Sequence, residues 1–477
     1  MSSRNPQGSM FFVATSVFLL LALSIFVIGV DSLASTIFLL AITLGIPFLF
    51  YNSSERKLPG VNYARVANLF YLKVLISFFV LEIAWVPLLG GSEGYDPIRY
   101  FYYAKVFAES NFDLSTLGYM ELLSPGIIYL YAIIVKTIGW NPIIPFLINS
   151  ILSFTVCLLL GKTISLVFGK SRALTGICLL CLLVPDVLWF DVITSRDSVV
   201  TFFLCVSVFI AMWLMDPEYR RSKTRGHLFL MSSVLFFSNI GLIVIRPGVI
   251  VISLVIIFGI LINTYRRKIT KRVIVLFGLT MIVLAILAPI IVFDVLNINR
   301  EFIESKFEVS KVIETAQANV DIADANGISA RFVPANLFEL VLFTPIKALA
   351  YMFVSITQIP GTVINVFRGD LSDTQLLFMG ASSIIYILLF HRFLVVLTSA
   401  VAVNRNFLAA FPFFATIFVT VLSNQFIHER YRLMSIPFFI FSIYPSFSMD
   451  SNRIVQAKRY WYSFFTATIM LYVFIKL

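Results

Sequence analysis

The side chains able to do chemistry are few in this chain, and they fall into short groups. The first is the stretch 91–124, GSEGYDPIRYFYYAKVFAESNFDLSTLGYMELLS, with Glu93, Asp96, Glu109, Asp113, Glu121, Arg99, Lys105 and a run of tyrosines that includes Tyr103. A carboxylate such as Asp96 suits general-base work, taking a proton from an attacking hydroxyl. It sits at Tyr95-Asp96-Pro97 ahead of an aromatic, helix-like run, where an Asp serves equally as an N-cap. The residues leave both readings open. Asp197, in Thr-Ser-Arg-Asp-Ser at the start of a span, carries the same two readings. Arg246 occupies a very short turn beside Pro247, placed either to snorkel or to hold a phosphate. The densest group is His428-Glu429-Arg430-Tyr431-Arg432, whose arginines have the planar fork that grips phosphate oxygens in pairs.

These groups must be positioned by elements that are mostly apolar. The composition is 59% hydrophobic and 13% charged with a mean hydropathy of +0.94, more apolar surface than a soluble core of 477 residues absorbs. Apolar runs of roughly 17 to 24 residues match a helix crossing a hydrocarbon layer of about 30 Å. No alternating pattern of barrel strands is present. The expected fold is therefore all-α, a polytopic membrane protein.

Charge sorts the loops by side. With spans at 10–30, 33–51, 66–88, 141–160, 173–187, 197–215, 227–244, 248–263, 273–294, 374–391, 406–423, 433–449 and 460–477, every dense Lys/Arg cluster falls inside the cell. That arrangement holds when 125–140 and 341–360 lie along the outer interface. It gives about thirteen spans, N-terminus in and C-terminus out, with the first span retained and not cleaved. Glu82 lies inside an apolar run, an expensive place unless it meets a polar partner. Two regions result: a hairpin and cytoplasmic loop over 1–65, and a membrane domain over 66–477 with outer loops 89–140, 185–197, 295–373 and 424–432. The net charge of +11 reflects topology and not nucleic-acid binding. Cys157, Cys178, Cys181 and Cys205 all lie in apolar segments; the CxxC of Cys178 and Cys181 lacks a second ligand pair and reads as packing.

On the outer side stand Glu93, Asp96, Arg99, Lys105 and Glu109, then Asp186, Asp191, Arg196 and Asp197, then Arg246, Arg331, Arg368 and Asp370, and last His428, Glu429, Arg430 and Arg432. Acids and guanidiniums from four loops thus meet one face, which suits proton removal beside a bound anion.

The order of these pieces resembles the GT-C superfamily of integral-membrane glycosyltransferases. The matching stretches are YDPIRYFYYAKVFAE (95–109), SPGIIYLYAIIVKTIGW (124–140), the span and loop ending VFGKSRAL, VPDVLWFDVITSRDSVVTFF (184–203), IRPG (245–248) and HERYRLMSIPF (428–438). Together they cover most of the chain from residue 66 onward. The resemblance implies a sugar donor linked to a polyprenyl phosphate or diphosphate, and transfer to a glycan or lipid acceptor outside the cytoplasm. It implies cell-surface polysaccharide synthesis, with the protein in the bacterial inner membrane and its site facing the periplasm or exterior. Carried over by position, Asp96 matches the first-loop carboxylate that acts as catalytic base or orients the acceptor, and Asp197 matches the second-loop carboxylate. Arg430 and Arg432 hold the lipid phosphate, Arg246 and His428 assist, and Glu93, Arg99 and Tyr103 support. A clean Asp-x-Asp is absent from the second loop, and Ser124-Pro125 replaces a Lys-Pro-Pro. Mg²⁺ or Mn²⁺ is chemically admissible beside these acids, without a dedicated ligand spacing.

Two other classes remain. An oligosaccharide repeat-unit polymerase, of O-antigen or capsule type, shares substrate and compartment and would centre on Arg246, His428 and 295–340. A lipid-linked oligosaccharide flippase or other transporter would place ionisable groups at mid-membrane and often repeats its halves. In the sequence the charges crowd the outer interface, Glu82 apart, and no repeat is visible.

Overall fold

A computed structural model describes residues 6–30, 32–54, 61–82, 96–113, 116, 125–139, 141–169, 173–193, 196–246, 248–265, 337–353, 363–364, 374–400, 403–423 and 429–476. Among these the fold is helical throughout, without strands. The helices are α1 (Pro6–Ile28), α2 (Leu33–Ser54), α3 (Tyr63–Val80), α4 (Asp96–Glu109), α5 (Pro125–Thr137), α6 (Ile143–Phe168), α7 (Ala173–Leu183), α8 (Pro185–Val192), α9 (Asp197–Met215), α10 (Pro217–Ser222), α11 (Arg225–Ile245) and α12 (Val249–Tyr265). After them come α13 (Leu337–Phe353), α14 (Thr374–Ala400), α15 (Asn404–Ser423), α16 (Ile436–Ile443) and α17 (Ser451–Lys476).

Seven helices among the described residues are long and apolar enough to cross a membrane, and eight if the bent pair α7–α8 is one span. The thirteen expected spans are thus not all present as such. Residues 273–294 lie outside the described residues. The stretch 433–449 is not one straight helix: a 3-10 turn (Glu429–Ser435), α16 and a second 3-10 turn (Tyr444–Ser448) follow each other. Pro437 and Pro445 explain the breaks, since each lacks the N–H a continuing helix needs and suits a helix start. α17 begins in the polar stretch before 460 and is not among the seven. The expected interfacial helices are short apolar helices, α5 and α13.

The exposed faces of α1 and α11 carry Phe12 at 72% and Phe229 at 76% exposure, which water would penalise and hydrocarbon accepts. This is an integral membrane protein. Inside the bundle α9 runs between α6, α11 and α12. One hydrogen-bond ring ties three of these helices. Asn239 Nδ2 donates to Ser207 Oγ (2.8 Å), the Ser207 and Ser253 hydroxyls meet at 2.8 Å, and Ser253 Oγ donates to Asn239 Oδ1 (2.9 Å). Such bonds between membrane helices contribute about 0.6 to 2 kcal/mol each. The four cysteines are free and buried; Cys157 Sγ donates to the Cys178 carbonyl between α6 and α7.

Candidate functional site

Within the stretch expected as the first outer loop, α4 and α5 pack together as a two-helix unit. Phe107 on α4 meets Phe112 and Tyr129 edge-on, at ring separations of 5.3 and 4.9 Å. Lys136 on α5 reaches back to close the end of α4, donating to the Ala108 carbonyl (3.2 Å) and to Asn111 Oδ1 (2.9 Å). A cation there also answers the negative end of the helix dipole. The unit docks through Gly126, where an added Cβ would stand 2.2 Å from the Val244 carbonyl oxygen on α11. Only a glycine lets those two backbones come so close. Asp96 is the first residue of α4; Arg99, Tyr100 and Tyr103 are half-buried along it, and Tyr102 is exposed.

Docked this way, the unit lies beside the start of α9. Asp197 is the first residue of that helix, not its cap, and its carboxylate is buried. Arg246 Nη1 donates to Asp197 Oδ1 at 3.2 Å, with the arginine 13% exposed. Arg246 closes the C-terminus of α11, where a cation is favoured. The adjacent Arg196 lies over the Tyr100 ring of α4 at 5.8 Å, a cation–π contact across the two loops. Tyr131 of α5 is buried near Asp197 and hydrogen-bonded with Asn149. Burial pushes its hydroxyl up, the Asn149 bond draws it down, and the Asp197 charge adds to the rise, so the phenol keeps its proton.

Deeper in the bundle the geometry departs from expectation. Residues 185–192, expected as outer loop, form α8, which bends 48° from α7 at Pro185. Asp186 and Asp191 on it are buried and paired. Arg432 Nε and Nη2 donate to Asp186 Oδ2 (2.8 Å) and Oδ1 (3.1 Å). The rest of its guanidinium donates to Ser383 Oγ (2.6 Å), the Met379 carbonyl (2.6 Å) and the Met352 carbonyl (3.1 Å). An arginine has five N–H donors, and here those five bonds employ them all. Arg432, expected to hold a lipid phosphate, is instead fully buried and bonded to the protein itself. On the other side of α8, Lys73 of α3 is ion-paired with Asp191 and donates to Ser153 Oγ, while Ser153 donates to Asp191 Oδ2 at 2.7 Å. A cavity of about 30 Å³ touches Asp191, Ser153, Ser198, Thr201 and Leu433, between this pair, the first turn of α9 and the 3-10 turn that carries Arg432.

Of the expected site residues, then, Asp197 and Arg246 come together, and Arg432 goes to Asp186. For Asp96 and Arg430 the structure describes the backbone alone. Glu93, His428, Arg331, Arg368 and Asp370 lie outside the described residues. Among the described residues no three His, Cys, Asp or Glu side chains converge to hold a metal. Sequence reasoning missed Lys73 and Tyr131. The signal for Lys73 was present: a single cation within FYLKVLISFF, an apolar run where an unpaired charge is not tolerated. Tyr131 had none, being one tyrosine of several.

No family model, curated protein or solved structure matches the chain.

Proposed function

We propose that this protein is a membrane glycosyltransferase. It moves a sugar from a polyprenyl-phosphate- or diphosphate-linked donor to a glycan or lipid acceptor at the outer face of the bacterial inner membrane, in cell-surface polysaccharide assembly. The observation that carries the reading is the Asp197–Arg246 pair beneath the α4–α5 unit: a carboxylate and a half-buried guanidinium from separate segments, at the helix ends the charge pattern assigns to the outside. The likeness of the motif order to GT-C enzymes supports it.

In the proposed inverting reaction the acceptor hydroxyl forms a bond to the anomeric carbon as the bond from that carbon to the phosphate oxygen breaks. The phosphate leaves with the electron pair, and Asp96 takes the hydroxyl proton. Arg246, steadied by Asp197, and Arg430 balance the charge that develops on the phosphate. Arg432 takes no part in this, since all five of its donors are bonded to the protein. Asp96→Asn, with expression retained, abolishes transfer from a synthetic lipid-linked donor in proteoliposomes; wild-type transfer by that variant refutes the reading.

One observation favours a second reading, a lipid-linked oligosaccharide flippase or other transporter. The broken span α7–α8 carries two carboxylates inside the bundle, and interrupted helices line many transport sites. The same vesicles separate the two. Translocation of the lipid-linked sugar without a new glycosidic bond would replace the transferase by the transporter.

A further inference from the structure

α8 is only eight residues long, yet its polar anchors come from much of the bundle. At its start the Asp186 N–H donates to Ser382 Oγ of α14 (2.8 Å), and its carboxylate meets Arg432. At its end Asn149 of α6 donates to the carbonyls of Asp191 (3.3 Å) and Ile193 (3.2 Å), groups a helix terminus leaves without partners. The Asp191 carboxylate meets Lys73 of α3. Ser198 Oγ of α9 donates to the Phe190 carbonyl (2.9 Å), which ties the following turn back onto α8. Apolar packing of Val187, Trp189, Phe190 and Val192 holds this short helix, and the ion pairs add a demand for fixed partners that apolar contacts do not make.

We infer that Lys73 and Arg432 are positioning residues: each fixes one carboxylate of α8, and α8 thereby sets the turn bearing Asp197 and the 3-10 turn bearing Arg430 relative to each other. The inference rests on the proposed transferase site for its consequence, and on the two ion pairs for its geometry. Lys73 comes from α3, which precedes the first outer loop, and Arg432 lies in the last outer segment. Asp191 stands six residues before Asp197, and the bond from Ser198 to the Phe190 carbonyl spans the segment that carries both. Three outer segments are thus registered through one buried element. A buried ion pair is a weak source of stability, because apolar residues of similar size often replace it without loss. What such residues do not replace is the demand for one partner in one place.

The test uses the apolar double variants Lys73→Met/Asp191→Leu and Asp186→Leu/Arg432→Met in full-length protein. Two spin labels report the geometry without substrate, at Gly248→Cys beside Arg246 and at Glu429→Cys, the first residue of the 3-10 turn. The four buried native cysteines are first replaced by alanine. The expected result is a folded protein whose label-to-label distance distribution is broadened. Its kcat for transfer is expected to fall about 10- to 100-fold with little change in donor KM, the scale that follows from roughly 1 Å of misplacement. Double variants with the native distribution and native kcat overturn the inference. Should the doubles not fold, Lys73→Arg and Asp186→Glu keep the charges while changing their reach. A shifted distance in these supports the inference and an unchanged one overturns it. Failure of the transferase reading is seen separately, as undiminished transfer by Asp96→Asn, while the distances still decide the role of α8.

Discussion

Arg432 and Arg246 are both arginines facing an aspartate, and their surroundings could hardly differ more. The Arg432–Asp186 pair lies in the bundle interior with no exposure on either side chain and all five guanidinium donors bonded to protein. The Arg246–Asp197 pair stands at the end of two helices beneath a docked surface unit, with the arginine 13% exposed. A closed pair resists rearrangement, because any ligand must first replace several charge-assisted bonds. A pair with one accessible cation has charge to offer a phosphate. One arginine is locked into the protein on every side, and the other keeps an edge that is accessible.

Removing one partner of the closed pair has the gravest consequence. Arg432→Met leaves a buried carboxylate unpaired and is expected to lower stability by about 3 to 5 kcal/mol, read as loss of the monodisperse peak after heating in detergent. A variant as stable as wild type would show the pair to be dispensable. At the open pair the expected effect moves from stability to rate. Arg246→Lys keeps the charge and loses the fork, so transfer falls about 100-fold while the melting temperature changes little. Gly126→Val probes the docking that brings α4–α5 to this pair. Its side chain meets the Val244 carbonyl, with an expected loss of about 1 to 3 kcal/mol and a fall in transfer rate. The smallest effect belongs to Lys105→Ala on α4. Its 3.9 Å pair with Glu109 is exposed to water and screened, so neither melting temperature nor rate should move measurably.

The sequence showed the class of fold because length and apolarity of a span are local properties. α9 and α11 cover the stretches 197–215 and 227–244, α6 covers all but the first two residues of 141–160, and the short helix expected from Pro125 is present as α5. Sidedness was harder to turn into position. Asp186 and Asp191 fall within a run of mixed polarity, and a charge-sorted reading sends such residues to water. The structure buries both, because Lys73 and Arg432 meet them from segments 118 and 246 residues away. Pairing over that separation leaves no trace in local composition. For the same reason Arg432 looked like its neighbour Arg430. The Asp197–Arg246 approach was legible only as two residues on one side of the membrane; the contact itself depends on how α9 and α11 pack. Gly126 gave no sign of its role, since what makes it necessary is a carbonyl on another helix.

The most direct measurement is the rate of sugar transfer from a polyprenyl-diphosphate-linked donor, in vesicles, by Asp197→Asn, alongside its thermal stability. The account predicts a folded protein whose transfer is reduced about 100-fold, because Arg246 loses the charge that steadies it. A folded Asp197→Asn protein that transfers sugar at the wild-type rate would contradict it.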